Sequence, residues 1–368
     1  MTSNYTEVAC QMAHSIADLW LYRGIVIAEC IVAILAIIPN SLLLSVIWKV
    51  TVFPSNLRLL LGHFSFVLLW YSLGSFIKCV YLLTAPVCGF VLSALECKIF
   101  DLASIVVVLP NLFYNMALLC VERLYASFFY KKYDTTAAKA PWLSFLLILV
   151  SWATAFGVHA SPAFTMTRNE YVPFCESTFM PVKSVAVYQV YLALEILASV
   201  LTAFIFLYNY FISKNMSINR ARYDLSSRFQ VDQNSRVNHI LVPSVILNVI
   251  CHIPTFIAMI GIRGRVDISI TTKAWLTQMI YLWRLLYASV HPLLALRTNG
   301  YCYQHLVNGA IGTMLRGETG ANSPAKASIH IVSSHAPVAQ GSTHFSILNQ
   351  LWDRQNTNRV APKTIPQN

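Results

Sequence analysis

Few residues in this chain could do chemistry, and the neighbours of those that could are mostly apolar. Glu29, Lys78, Asp101, His159, Glu195, His252 and Arg284 each interrupt a long hydrophobic stretch, and Glu122-Arg123 closes another. A charge at the centre of a bilayer costs about 2.5–3.5 kcal/mol on insertion scales, so a group kept there turns toward protein or water rather than lipid. Glu29, Lys78, Asp101 and His159 fall near the ends of their stretches, where a long side chain can snorkel to the interface. Glu195, His252 and Arg284 lie deeper. Together with Asp101 they are expected to surround a cavity for a small molecule, with Tyr188, Tyr191 and Tyr281 as aromatic walls. The competing reading for each is a structural ion pair, and for His159 and Glu29 that reading stands ahead.

Catalysis finds little support. The histidines at 159, 239, 252 and 291 show no His-Glu-x-x-His or similar ligand spacing, and no carboxylates pair on neighbouring turns. No metal, no cofactor and no enzymatic activity are therefore expected. The 368 residues would permit two soluble domains, but 57% are hydrophobic and 11% charged, where a soluble domain carries about 25% charged. The net charge of +11 raises the question of nucleic acid. Its basic residues sit in short runs between apolar stretches, with no zinc-finger or RNP pattern, so no nucleic-acid partner is expected.

The elements that must position these residues are read from hydropathy. Crossing the hydrocarbon takes roughly 20 apolar residues in a helix. Seven stretches qualify, at 24–47, 59–83, 98–121, 141–164, 185–212, 237–262 and 274–296. The expected fold is an all-α membrane protein, a seven-transmembrane helix bundle. Most of the 26 Lys and Arg residues fall in alternate loops and the tail, among them Lys49, Arg58, Lys131, Lys132, Arg220, Arg222, Arg228, Arg236 and Arg297. That bias places the N-terminus outside and the C-terminus in the cytoplasm. Trp20, Tyr22, Trp48, Trp142 and Trp275 lie where interfacial aromatic rings belong. The domain reading is an extracellular N-terminus at 1–23, a membrane domain at 24–296 and a cytoplasmic, disordered tail at 297–368 rich in Ser, Thr, Asn, Gln and Pro. Segment 1–23 carries Glu7, Asp18 and Arg23 and no apolar core, so no cleavable signal peptide is expected. No internal repeat is visible, which counts against a transporter of duplicated halves.

Cys10, Cys88, Cys97 and Cys175 fall on the outer, oxidising side. Four cysteines allow three full pairings; Cys97–Cys175 is favoured, because it would pin the second outer loop across the bundle, with Cys10–Cys88 as companion. Cys30, Cys79, Cys120 and Cys251 read as small apolar fillers. Asn4-Tyr5-Thr6 is a glycosylation sequon, and Cys302, just past the last helix, is a candidate for palmitoylation.

Arg123 follows Cys97 by about one membrane crossing, so its side chain emerges at the opposite, inner face. Held by Glu122, Arg123 can keep a bundle closed and then exchange partners without losing charge, a task its planar fork suits. A third helix ending in an acidic residue and Arg resembles rhodopsin-like receptors. Cys251-His252-Ile253-Pro254 is similar to that class's Cys-Trp-x-Pro switch, with His for Trp and Pro254 as a hinge, and Pro39-Asn40 is similar to its Gly-Asn. Val290-His291-Pro292 departs from the usual Asn-Pro-x-x-Tyr. A closer resemblance rests on Glu122-Arg123-Leu124-Tyr125-Ala126-Ser127 leading to Lys132-Tyr133-Asp134, and on Leu225-Ser226-Ser227-Arg228-Phe229-Gln230-Val231-Asp232-Gln233-Asn234. Both look like nematode chemosensory serpentine receptors of the Sra superfamily, class e being favoured over a, ab and b. That resemblance implies a multi-pass cell-membrane receptor of sensory neurons that takes small environmental ligands and activates a heterotrimeric G protein. Glu122, Arg123, Arg228 and Pro254 would then act in switching and coupling, with ligand, G protein and membrane lipids as partners. A transporter or channel is the rival class.

Overall fold

The computed structural model describes residues 2–49, 53–84, 92–93, 97, 108–129, 141–160, 171–172, 185–218, 225–264 and 267–298. All belong to one compact unit, Met1–Leu315. Eight helices are found among them: α1 Thr2–Ala17, α2 Trp20–Lys49, α3 Ser55–Thr84, α4 Val108–Phe128, α5 Trp142–Ala160, α6 Val185–Ile218, α7 Leu225–Gly264 and α8 Ile270–Thr298. Two short strands, β1 Leu92–Ser93 and β2 Tyr171–Val172, pair antiparallel with Leu92 opposite Val172.

Helices α2 to α8 are the seven spans. Five of them are long and apolar enough by themselves to cross a bilayer, and α5 contributes a shorter apolar run, Trp142–Gly157. In lipid nothing outside the chain can satisfy a backbone N–H or C=O, so these segments close every bond internally as helix. Their starts carry local signals. Ser269 Oγ accepts the Thr272 backbone N–H at 3.2 Å and caps α8. Pro54 and Pro141 precede α3 and α5, where a missing N–H costs nothing, and their carbonyls take the N–H of Arg58 at 2.9 Å and Phe145 at 3.0 Å.

The bundle is apolar on its outer surface, and its polar residues lie inside, set in an apolar core. On α2, Ile27, Ile31, Leu35 and Ile38 face outward and are exposed, while Ala33, Ala36 and Asn40 are buried. Leu146, Leu149 and Phe156 on α5 and Leu197, Leu201, Phe204 and Phe211 on α6 extend the exposed apolar belt. Asn40, Asn111, Asn115, Asn209, Asn238 and Asn248 are buried among the helices. A soluble protein would keep such a belt from water, and an apolar surface of this extent suits lipid.

Helix α2 packs against α3 and α8, α8 against α7, and α7 against α6, while α4 touches α3, α5, α6 and α7 and so forms the centre. Polar clamps set the phase of these contacts. Asn40 Nδ2 donates to Ala36 O and to Ala288 O, both at 2.8 Å, joining α2 to α8. Trp152 Nε1–H donates to His63 Nε2 at 2.7 Å, and His63 Nδ1 lies 2.7 Å from Asn115 Oδ1. An amide oxygen cannot donate, so the ring is the neutral tautomer protonated at Nδ1, tying α3, α4 and α5 together.

Three features differ from the expectations from sequence. The chain begins with helix α1, where no helix was anticipated; it buries Ala9, Ala13 and Ile16 and leaves Val8 and Met12 exposed. Helix α7 starts at Leu225 rather than 237, because hydropathy marks the lipid-embedded part and nothing in the polar run ahead of it breaks a helix. Glu29 and Lys78 do not snorkel: both are buried, with Lys78 only 2% exposed. The end of the bundle that carries α1 is called upper below, and the end that carries Arg123 lower.

Candidate functional site

At the lower end, Arg123 and Glu122 are almost wholly buried, at 1% and 0% exposure. Arg123 donates Nε–H to Glu122 Oε2 and Nη2–H to Glu122 Oε1, a two-point grip. A charge pair taken out of water is favourable only where further hydrogen bonds satisfy it. Helix α7 supplies one: Arg123 Nη1 reaches Asn234 Oδ1 at 3.4 Å. Asn234 Nδ2 donates in turn to Ala126 O at 2.9 Å, so one amide bridges α7 to α4 at two points. A neighbouring junction adds α6, with Ser127 Oγ 3.2 Å from Ser213 Oγ and Asn238 Nδ2 donating to Ser213 Oγ at 2.8 Å. Asn234, Asn238 and Ser213 were missed as members of this corner, although Asn234 ends the block that carries the family resemblance. Arg228 lies in the first turn of α7, its side chain outside the described residues.

Beneath the bundle centre a cavity of about 30 Å³ is lined by Leu43, Phe64, Met116, Phe206, Leu241 and His291, among others. It is nearly all apolar. Aromatic rings run from it toward the upper half: Phe64 meets His291 edge-on at 4.6 Å, His291 meets Tyr287 at 5.6 Å, and Tyr287 meets His252 at 5.0 Å. His252 then meets Phe256 at 6.3 Å. Asn248 Nδ2 holds the Tyr287 hydroxyl at 3.2 Å. The Arg284 guanidinium sits 5.6 Å from the centre of the Phe256 ring, a cation–π distance. Its Nε and Nη2 are each 3.4 Å from Thr255 Oγ1, and Nη2 is 3.7 Å from Met259 Sδ. These rings and Arg284 join α7 to α8 around Pro254, which lies inside the continuous helix α7.

Of the residues expected around a ligand cavity, the structure brings His252 and Arg284 to one place. Glu195 is buried on α6, and its neighbour Ile196 packs against the cluster of Phe256 and Met259 that Arg284 touches. Tyr281 is placed elsewhere. Its carbonyl accepts from Tyr71 Oη at 3.4 Å and Lys78 Nζ lies 4.4 Å from its ring centre, so it faces α3. Asp101 is outside the described residues, as are the side chains of Tyr188, Tyr191 and His159. Tyr287 and His291 were missed; their spacing from Arg284 at successive helical turns was the available signal.

Cys97 is buried, and Cys10 and Cys97 are each disulfide-bonded; Cys88, Cys175 and Cys302 lie outside the described residues. Cys30, Cys79, Cys120 and Cys251 are free thiols within the helices, as fillers would be. Asn4 belongs to α1, with its side chain outside the described residues. Among the described residues no three His, Cys, Asp or Glu side chains gather as a metal site would need.

Residues 7–297 match a family described as serpentine type 7TM GPCR receptor class ab chemoreceptor. The chain is 23% identical over 377 residues to serpentine receptor class alpha/beta-14 of Caenorhabditis elegans, an alignment covering 95% of this chain and 94% of that protein. The match falls within the superfamily seen in the sequence but in class ab, not class e. Two short blocks common to several classes cannot separate them; a match along most of the chain can.

Proposed function

The chain belongs to the class ab family of seven-helix serpentine chemoreceptors, and from that premise we propose that it is a ligand-gated switch for a heterotrimeric G protein. Its N-terminus and α1 lie outside, the tail from 297 lies in the cytoplasm, and the membrane is that of a sensory cell. Cys97 pairs with Cys175 and Cys10 with Cys88 across the outer face. A small environmental molecule enters from the upper end and binds beside Arg284, His252 and Glu195.

The observation that carries this reading is the bidentate Glu122–Arg123 pair buried at 0% and 1% exposure and tied to α7 through Asn234. A charged fork that only anchored the helix would sit in the headgroup layer. Buried and held by a neighbouring helix, it stores a closed state whose release uncovers an Arg for a partner. The ring contacts from Arg284 and His252 through Tyr287 and His291 give the upper ligand a route to the lower half. A ligand drives the switch only by binding the open state more tightly: going from 1:99 to 99:1 takes about 5.5 kcal/mol of differential affinity. Helix α7, pivoting at Pro254, is the element that moves.

The test is ligand-stimulated GTP exchange on a supplied G protein in membranes carrying the receptor. Arg123→Ala and Arg123→Lys should both lose exchange while retaining ligand binding; exchange that survives both refutes the scheme. Epitope tags at the two termini should be accessible on opposite sides of the membrane, and tags on the same side refute the orientation.

A further inference from the structure

At the upper end, α2, α3 and α8 meet beneath α1, and the corner they form is more polar than any packing role requires. Glu29, Ser75 and Gln278 are 0% exposed and Lys78 is 2% exposed. Both side-chain atoms of Gln278, Nε2 and Oε1, and the Ser75 hydroxyl have no hydrogen-bond partner among the described residues. A buried amide left unmade forfeits its hydration without return, so three such atoms in one corner offer hydrogen-bonding capacity that a polar guest can use.

Helical spacing puts them together. Tyr71, Ser75 and Lys78 follow one face of α3 at successive turns, and Gln278 stands one turn above Tyr281 on α8. Tyr71 and Lys78 both touch Tyr281, the first at its carbonyl at 3.4 Å and the second over its ring at 4.4 Å. In the order of the α3 turns, Ser75 therefore falls between two contacts to Tyr281, the residue one turn after Gln278. Counting 1.5 Å per residue, Lys78 is about 9 Å and Gln278 about 12 Å from the upper ends of their helices. Helix α1 covers this corner: Ile16 packs with Tyr22, Val26, Cys79 and Ala274. Cys10 is held in a disulfide, and Arg23 braces the α1–α2 joint by donating to Ala17 O at 2.5 Å and lying 3.6 Å from Asp18.

We propose that this α2–α3–α8 corner is a ligand subsite for the head of a small uncharged molecule bearing a carboxamide or a protonated carboxylic acid. A Gln carboxamide offers a donor and an acceptor side by side in one plane, which an amide or acid head answers at two points at once, and the Ser75 hydroxyl offers a third. Glu29 and Lys78 bring one formal charge of each sign, so the corner favours a neutral polar head over an ion. Tyr281 is one turn from Arg284, so the subsite adjoins the place where the ligand reaches α7. The inference deepens the receptor reading by naming the chemistry at its ligand end.

The experiment measures the thermal midpoint of the full-length receptor in lipid nanodiscs with butanamide, with butanoic acid at acidic and neutral pH, and with 2-pentanone as an acceptor-only control. The amide, or the acid at acidic pH, should raise the midpoint of the native protein, since whatever binds only the folded state stabilises it. Gln278→Leu should weaken that response by about tenfold or more in apparent affinity, and Ser75→Ala should weaken it less. Without added compound Gln278→Leu should be as stable as the native protein or more so, because an unmade buried amide is replaced by an apolar side chain of similar size. A response to the acid alone assigns the head as an acid, and one to the amide alone as an amide. No response to either compound, an equal response in Gln278→Leu, or an equal response to 2-pentanone overturns the proposal. No G protein is present, so failure here leaves the exchange experiment standing, and failure there leaves this one standing.

Discussion

Asn234 gives the sharpest test of the switch, because it is small, neutral and carries two hydrogen bonds that join α7 to the Glu-Arg corner. Replacing it with Ala removes the acceptor 3.4 Å from Arg123 and the donor 2.9 Å from Ala126 O. The first bond is long and is placed near the bottom of the usual range, at about 0.5–1 kcal/mol; the second, of ordinary length, contributes about 1 kcal/mol. Their joint loss is about 2 kcal/mol, or roughly 30-fold in the closed-to-open ratio. A receptor resting at about 99:1 closed would move to about 3:1, leaving roughly a quarter of the molecules open without ligand. The assay is ligand-independent GTP exchange in membranes, with receptor density matched through a tag on the tail. Asn234→Ala should raise basal exchange many-fold. Asn234→Asp keeps an acceptor for Arg123 and makes it ionic but loses the donor to Ala126 O, so it should raise basal exchange less than Asn234→Ala. Basal exchange that is equal in all three proteins would refute the claim that this bridge holds the closed state.

Other substitutions probe the remaining links. His63→Leu strands the Trp152 Nε1–H and the Asn115 Oδ1 that the imidazole now joins; it should cost about 2–4 kcal/mol and lower the thermal midpoint in detergent. Asn40→Leu cuts the α2–α8 clamp to Ala288 O and should lose about 1–2 kcal/mol by the same measurement. Arg284→Gln removes the cation over Phe256 and should shift the ligand dose–response by about tenfold or more while surface expression is retained. An unshifted curve would place the ligand away from Arg284 and Phe256.

Length and composition were enough to show that lipid is the solvent of this chain. Each apolar stretch is its own evidence: a window of roughly 20 residues either can or cannot cross hydrocarbon, whatever its neighbours do. The Glu122-Arg123 corner was legible for a similar reason, since its two charges are adjacent in the chain and end an apolar run. Even there, the third member was hidden. Asn234 reaches Arg123 across more than a hundred residues, and no local pattern says which turn of α7 will face α4.

Glu29, Lys78, Glu195, His252 and Arg284 were legible as polar residues within apolar stretches, and their grouping was not. Tyr281 was expected beside Glu195 and His252, yet α8 is rotated so that its ring takes Lys78 from α3, while Arg284, one turn on, turns to Phe256. Helix α1 was missed because its 16 residues mix polar and apolar side chains and are too short to register as a membrane span, and it is held by packing at Ile16 and by the disulfide at Cys10. Hydropathy is a property of one segment and survives any rotation of that segment about its axis. Which side chains meet depends on the rotational phase and adjacency of several helices at once, and only the tertiary structure decides those.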